Sequence, residues 1–146
     1  MVWPFKSKNW DKLGAEYNRD TLKRILSNGT GCEDIRLNDN KYRALPYNDF
    51  TKLAWGGYSG NKEYAEDVQD CDEMALYYES DTRKQWAKKS KAKCALAFGR
   101  AEVIPNGGGR KHMLIGQLDN SGKINWIEGQ TYNKAKEPVK VYYIEG

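Results

Sequence analysis

His112-Met-Leu-Ile-Gly-Gln-Leu118, then Asp119-Asn-Ser-Gly122, then Lys123-Ile-Asn-Trp-Ile-Glu-Gly-Gln130 read as two strands joined by a polar turn. Their register decides how the fold is built. Gly122 suits the left-handed residue that closes a three-residue loop with a bulge. Such a loop pairs Asp119 with Lys123, and the numbers of paired positions then sum to 242. Leu114 faces Glu128, His112 faces Gln130, and these four side chains share one face, which Leu118, Ile124 and Trp126 continue as its apolar part. A two-residue loop at Asn120-Ser121 makes the sum 241 and moves Glu128 to the face opposite His112.

Working outward, Cys94 to Ile104 and Val139 to Ile144 are also strand-rich. Upstream the period changes. Thr21 to Ser27 carries Leu22, Ile25 and Leu26 and stops at Asn28-Gly29. A second short helix follows Asn48 with Phe50, Leu53, Ala54 and Trp55 before Gly56-Gly57. The longest begins at Asp70-Cys71-Asp72-Glu73, a capping acid with Glu three residues on, and Met74, Ala75, Tyr78 and Trp86 recur at helical spacing. Helices first and an antiparallel sheet second predict an α+β fold, with a helical N-terminal half and a central helix packed on about four strands. No internal repeat or linker divides the chain, so 1–146 reads as one domain, with a helical and irregular lobe over 1–63 and a helix plus sheet over 64–146.

Composition narrows the classes. A chain of 146 residues buries roughly 68–70% of its unfolded surface, and 39% hydrophobic with 30% charged residues is globular rather than disordered. The longest apolar run, Cys94 to Phe98, is far below the roughly 20 residues of a spanning helix. Met1-Val-Trp-Pro-Phe-Lys6 lacks the basic start and apolar middle of a signal peptide. No membrane partner is expected, and the location expected is cytoplasmic. Three cysteines, with no Cys-x-x-Cys pair and one histidine, encode neither a disulfide framework nor a structural zinc site. The net charge is +4, and Lys84, Lys88, Lys89, Lys91 and Lys93 gather at the end of the longest helix. No Arg-rich segment or aromatic-and-basic strand motif accompanies them, so they read as a solvated face and nucleic acid is not the expected partner.

Cys71 at a helix start and His112, the sole histidine, at a strand start have the contexts that thiol chemistry needs, because helix dipole and imidazole both stabilise a thiolate. Packing beside Met74, Ala75 and Tyr78 is the plainer reading of Cys71. Glu128 reads either as the acid that orients His112 or as a solvent-facing strand carboxylate. Asp70, Asp72 and Glu73 oppose a thiolate, which calls for a protonated His112 or a bound cation unless these acids only cap the helix. The loop Pro105-Asn-Gly-Gly-Gly-Arg-Lys111 is expected to be mobile, either as a gate beside His112 or as an ordinary hairpin tip.

Asp70-Cys71-Asp72-Glu73-Met74-Ala75, Gly99-Arg-Ala, His112 with its apolar strand, and Ile127-Glu128-Gly129-Gln130-Thr131 resemble a known family. It is the papain-like cysteine protease domain at the C-terminus of a fungal chimerolectin, the fairy-ring mushroom agglutinin. The order Cys, His, Glu at intervals of 41 and 16 residues is also similar, more loosely, to transglutaminase-like folds. The resemblance covers about residues 64–132. It implies Cys71 as nucleophile, His112 as general base, Glu128 as orienting acid, and calcium held near Asp67, Asp72 and Gln130. Gly129 stands where the family has Pro, and Met113 where a small residue commonly follows His.

The function these features imply is that of an enzyme, a papain-like cysteine hydrolase or acyltransferase of protease, isopeptidase or amidase type. It would act on a peptide or protein through a thioester at Cys71. The alternative is a catalytically inactive module of the same fold, such as a bacteriophage encodes, which binds or inhibits a protein through the basic helix end and Trp3, Trp10 and Trp55. Gln69 and Tyr64 are both open as oxyanion donors.

Overall fold

The computed structural model describes residues 9–58, 71–91 and 94–146. A 3-10 turn, Trp10–Lys12, leads into β1 (Ala15–Asn18), α1 (Arg19–Thr30), β2 (Ile35–Arg36), β3 (Lys41–Ala44) and α2 (Tyr47–Gly56). Then come α3 (Cys71–Lys89), β4 (Ala95–Leu96), β5 (Phe98–Ile104), β6 (His112–Leu118), β7 (Ile124–Ile127), β8 (Lys134–Ala135) and β9 (Lys140–Glu145).

Local chemistry sets the helix ends. Asn18 Oδ1 accepts a hydrogen bond from the Thr21 amide at 2.8 Å, which satisfies one of the open N–H groups of α1. The helix runs through Gly29 to Thr30, past the expected stop. Gly31, at φ +72°, takes the left-handed position and donates its N–H to Ser27 O at 2.8 Å. In α3, Met74, Ala75, Tyr78, Thr82 and Trp86 form a buried stripe at helical spacing. Its proposed cap, Asp70, lies outside the described residues.

The strands form a six-stranded sheet in the order β2-β9-β5-β6-β7-β8 and a three-stranded sheet in the order β1-β3-β4. The larger sheet is covered on both faces. Side chains alternate along a strand, so Leu114 and Leu118 of β6 join Leu22 and Leu26 of α1 with Trp126. Met113 and Ile115 join Phe50 of α2 and Ala75 and Tyr78 of α3. The α+β class stands in its coarse form, a mixed fold of helices and sheets. The expectation of about four strands and a helical first half does not. Among the described residues the first half contributes β1, β2 and β3, and β2 pairs in parallel with β9. Two- and four-residue strands are too short to show a period of two, and their partners lie far along the chain.

The hairpin register is the bulged one. Leu118 pairs with Ile124 and Gly116 with Trp126, the Asp119 amide donates to Lys123 O at 2.9 Å, and Gly122 has φ +85°. A buried polar cluster anchors it. Asp119 Oδ1 accepts from the amides of Ser121 and Lys123 and from the Ser121 hydroxyl, at 2.9, 3.1 and 2.6 Å. The Asn125 amide donates to Asp119 Oδ2 and Gln117 Oε1, both at 3.0 Å. Gln117 Nε2 in turn donates to the carbonyls of Leu45 and Leu118 at 3.0 Å. Burial pushes the Asp119 carboxyl up, but the hydrogen bonds from Ser121, Asn125 and Lys123 outweigh it and leave the group below its usual range.

Candidate functional site

Three elements converge at one end of the larger sheet. His112 opens β6, Glu128 follows β7, and Cys71 opens α3. The turn after β7 is set by the Glu128 amide donating to Asn133 O and the Tyr132 amide donating to Glu128 O, each at 2.9 Å, and Tyr132 has φ +65°. Against it sits the first turn of α3. A Cβ at Gly129 would lie 2.9 Å from Ala75 N and Cα, so only glycine lets these two backbones meet. Cys71, Met74, His112, Glu128, Gly129 and Gln130 line the resulting cleft, of about 80 Å³.

His112 Nε2 lies 2.9 Å from Glu128 Oε2, and both side chains are about one-third exposed, at 29% and 39%. The hydrogen bond to Glu128 raises the His112 pKa; desolvation opposes this, and the charges of Glu128 and Asp72 add to it. Cys71 Sγ lies 3.7 Å from Asp72 Oδ1. Burial pushes up the pKa of Cys32, and also that of Cys94, where Arg43 partly offsets it. The cleft thus presents a thiol, an imidazole paired with a carboxylate, and a backbone turn, a set that can exchange hydrogen bonds with a ligand.

A measurable pH signature follows from this pair. The folded His112 pKa exceeds its unfolded value of about 6.5. The stabilisation is therefore complete below about pH 6.5 and disappears as pH rises through the folded pKa. A proton NMR titration should place the His112 midpoint above the ordinary value, and Glu128→Gln should return it downward. The stability difference between wild type and Glu128→Gln should be larger at pH 5.5 than at pH 8.5, and a difference that grows with pH would contradict the pairing.

Asp67, Gln69 and Tyr64 lie outside the described residues. Asp72 and Gln130 are present, but among the described residues no group of three or more His, Cys, Asp or Glu side chains is arranged to hold a metal. Calcium takes about six to eight oxygen ligands; of the three expected donors, Asp72 and Gln130 are among the described residues and Asp67 is not. In the loop, Gly107, Gly108 and Gly109 have φ of +94°, +81° and +98°, so replacing them with alanine strains the backbone.

Sequence reasoning missed the Asp119 cluster, although Gln117 and Asn125 are paired polar residues inside apolar strands, a readable signal. It also missed how Trp10 is placed. Asp11 accepts from the Ser90 hydroxyl at 2.5 Å and from the Lys91 amide at 3.1 and 3.2 Å, which ties the 3-10 turn to the end of α3. A second cleft, of about 430 Å³, results there, lined by Trp10, Lys52, Leu53, Gly56, Gln85 and Lys89.

By its fold the chain resembles lectins of known structure. Two are the PSL1a-E64 complex and Polyporus squamosus lectin bound to the human-type influenza-binding epitope Neu5Acα2-6Galβ1-4GlcNAc. Each aligns with a TM-score of 0.75 at 16% identity over 90% of this chain, and over 51% and 49% of its own length respectively. The chain spans about half the length of the structures it matches. No protein-family model and no curated protein matches it.

These likenesses correct the family expected from the motif order. They are to lectin structures, at an identity that carries the fold alone. The papain-like cysteine protease family, the hydrolase or acyltransferase function and the thiol-protease description are therefore set aside. The physical reason is that a helix start and a hairpin suffice to bring Cys71, His112 and Glu128 to one cleft, and such an arrangement does not by itself define a reaction.

Proposed function

We propose that this chain is a binding module, and that its partner is a protein segment docked between α2 and the C-terminal end of α3. The observation that carries this is the convergence of Trp10, Lys52, Gln85 and Lys89 on one cleft. Lys84, Lys88, Lys89 and Lys91 are exposed at that end of α3. Trp55, on the same helix as Lys52, is 47% exposed, with its ring 5.1 Å from Tyr58 and 5.0 Å from Tyr132. Aromatic anchors dominate interface energetics, and a lysine rim selects a partner by charge. The complementary segment is acidic with an apolar anchor. The likeness to lectins supports a binding role in general; the carbohydrate belongs to the lectin complex.

The test is selection of a random peptide library on the immobilised protein, followed by titration of the recovered peptides. They should be acidic and carry one aromatic or aliphatic residue. Binding should weaken by about tenfold or more in Trp10→Ala and in Lys52→Glu/Lys89→Glu. Cleavage of a selected peptide, or affinity indifferent to both variants, would overturn the reading.

A further inference from the structure

The six-stranded sheet ends unevenly. β7 has four residues, Ile124–Ile127, whereas β8 pairs only with Trp126 and Ile127. Ladder alternation shows where the main chain of the remaining residues points. Lys123 O accepts from the Asp119 amide on the β6 side, and the Glu128 amide donates to Asn133 O on the β8 side. Even-numbered residues of β7 therefore turn their N–H and C=O toward β8. Ile124 is one of them, and β8 does not reach it. After Ala135 the chain leaves the ladder through Lys136-Glu137-Pro138, and the Val139 amide bonds instead to Ile104 O at 2.9 Å on β5.

A groove remains beside Ile124. It is about 640 Å³ and is walled by Gly29 and Thr30 at the end of α1, Gly122 and Lys123 in the hairpin, and Lys136 and Glu137. A Cβ at Gly122 would meet nothing within 4 Å, so another backbone can approach closely. Lys134 also lines the groove, with its ammonium 5.0 Å from the centre of the Tyr47 ring. That leaves Lys123 and Lys136 against Glu137 at the rim, a positive balance.

We infer that the uncovered edge of β7 at Ile124 is a strand-addition site that takes an extended acidic peptide. The peptide continues the line that β8 abandons. Its main chain pairs with Ile124, and its acidic side chains lie by Lys123 and Lys136. This surface lies apart from the α2–α3 cleft and goes beyond the reading given for it.

The probe is the blocked hexapeptide Glu-Val-Glu-Val-Glu-Val, with two controls: the same peptide with Lys for Glu, and one N-methylated at alternate residues so that it cannot complete the ladder. Titration into labelled protein should shift the amide resonances of residues 122–126, and neither control should do so. Lys123→Glu/Lys136→Glu, two exposed and fold-neutral changes, should weaken binding about tenfold. Trp10→Ala should leave it unchanged, which separates failure here from failure of the helical cleft. No binding at millimolar peptide, equal binding of either control, or shifts confined to other residues would overturn the inference.

Discussion

Asp119→Ala should lower stability by about 3 kcal/mol, because it removes the acceptor of four hydrogen bonds and leaves the Asn125 amide and the Ser121 and Lys123 donors without it. For a chain of this size that corresponds to roughly 10 °C in melting temperature. The loss should also reach the cleft. Asp119 and Gly122 close the bulged loop, the loop sets the register of β6 on β7, and the register places Glu128 on the face of His112. The His112 midpoint in Asp119→Ala should therefore fall toward its ordinary value, although residue 119 does not touch residue 112. Acid should act on the wild type in the same sense. The Asp119 pKa is depressed in the fold, so its stabilisation is present above the unfolded value of about 3.9 and is lost as pH falls through the folded pKa. A melting temperature unchanged in Asp119→Ala would show that the cluster does not hold the hairpin.

Gly129→Val should be as damaging for a different reason. The backbone of α3 at Ala75 occupies the space where a side chain at 129 would go, and neither backbone is a flexible group that can yield. Overpacking of this kind costs typically about 1–3 kcal/mol, with the upper end expected for a branched side chain. The first turn of α3 must move away from the β7 turn, so amide shifts should concentrate at 71–75 and 128–130. Gly129→Ala should produce the same pattern at smaller amplitude. Both variants melting like the wild type would mean that α3 does not depend on this contact.

Much of the local structure was legible from the chain. Gly122 at the end of a polar turn pointed to the bulged loop rather than the two-residue one, and Leu118 does pair with Ile124. The start of β6 at His112 was likewise read from the change of period, whereas Asp70, the expected cap of α3, lies outside the described residues. The pairing of His112 with Glu128 followed from that register. The helix end at Gly31 was misplaced by two residues, because Asn28-Gly29 and Thr30-Gly31 are both acceptable stops and only the second adopts a positive φ. The function attached to the Cys, His, Glu order did not survive comparison, since the order of three residue types specifies a geometry rather than a reaction.

The sequence by itself indicated the bulged hairpin, through Gly122, and the buried stripe of α3. Each of these depends on neighbours within about one turn or one hairpin, where backbone sterics and side-chain period leave few choices. Tertiary structure alone decided the rest: the parallel pairing of β2 with β9, the three-stranded sheet assembled from β1, β3 and β4, and the seating of Trp10 beside Lys89 through Asp11. Those contacts join segments tens of residues apart. Their partners are chosen by which uncovered edge, open hydrogen-bonding group or apolar face remains once the local elements have packed, and no spacing along the chain records that choice.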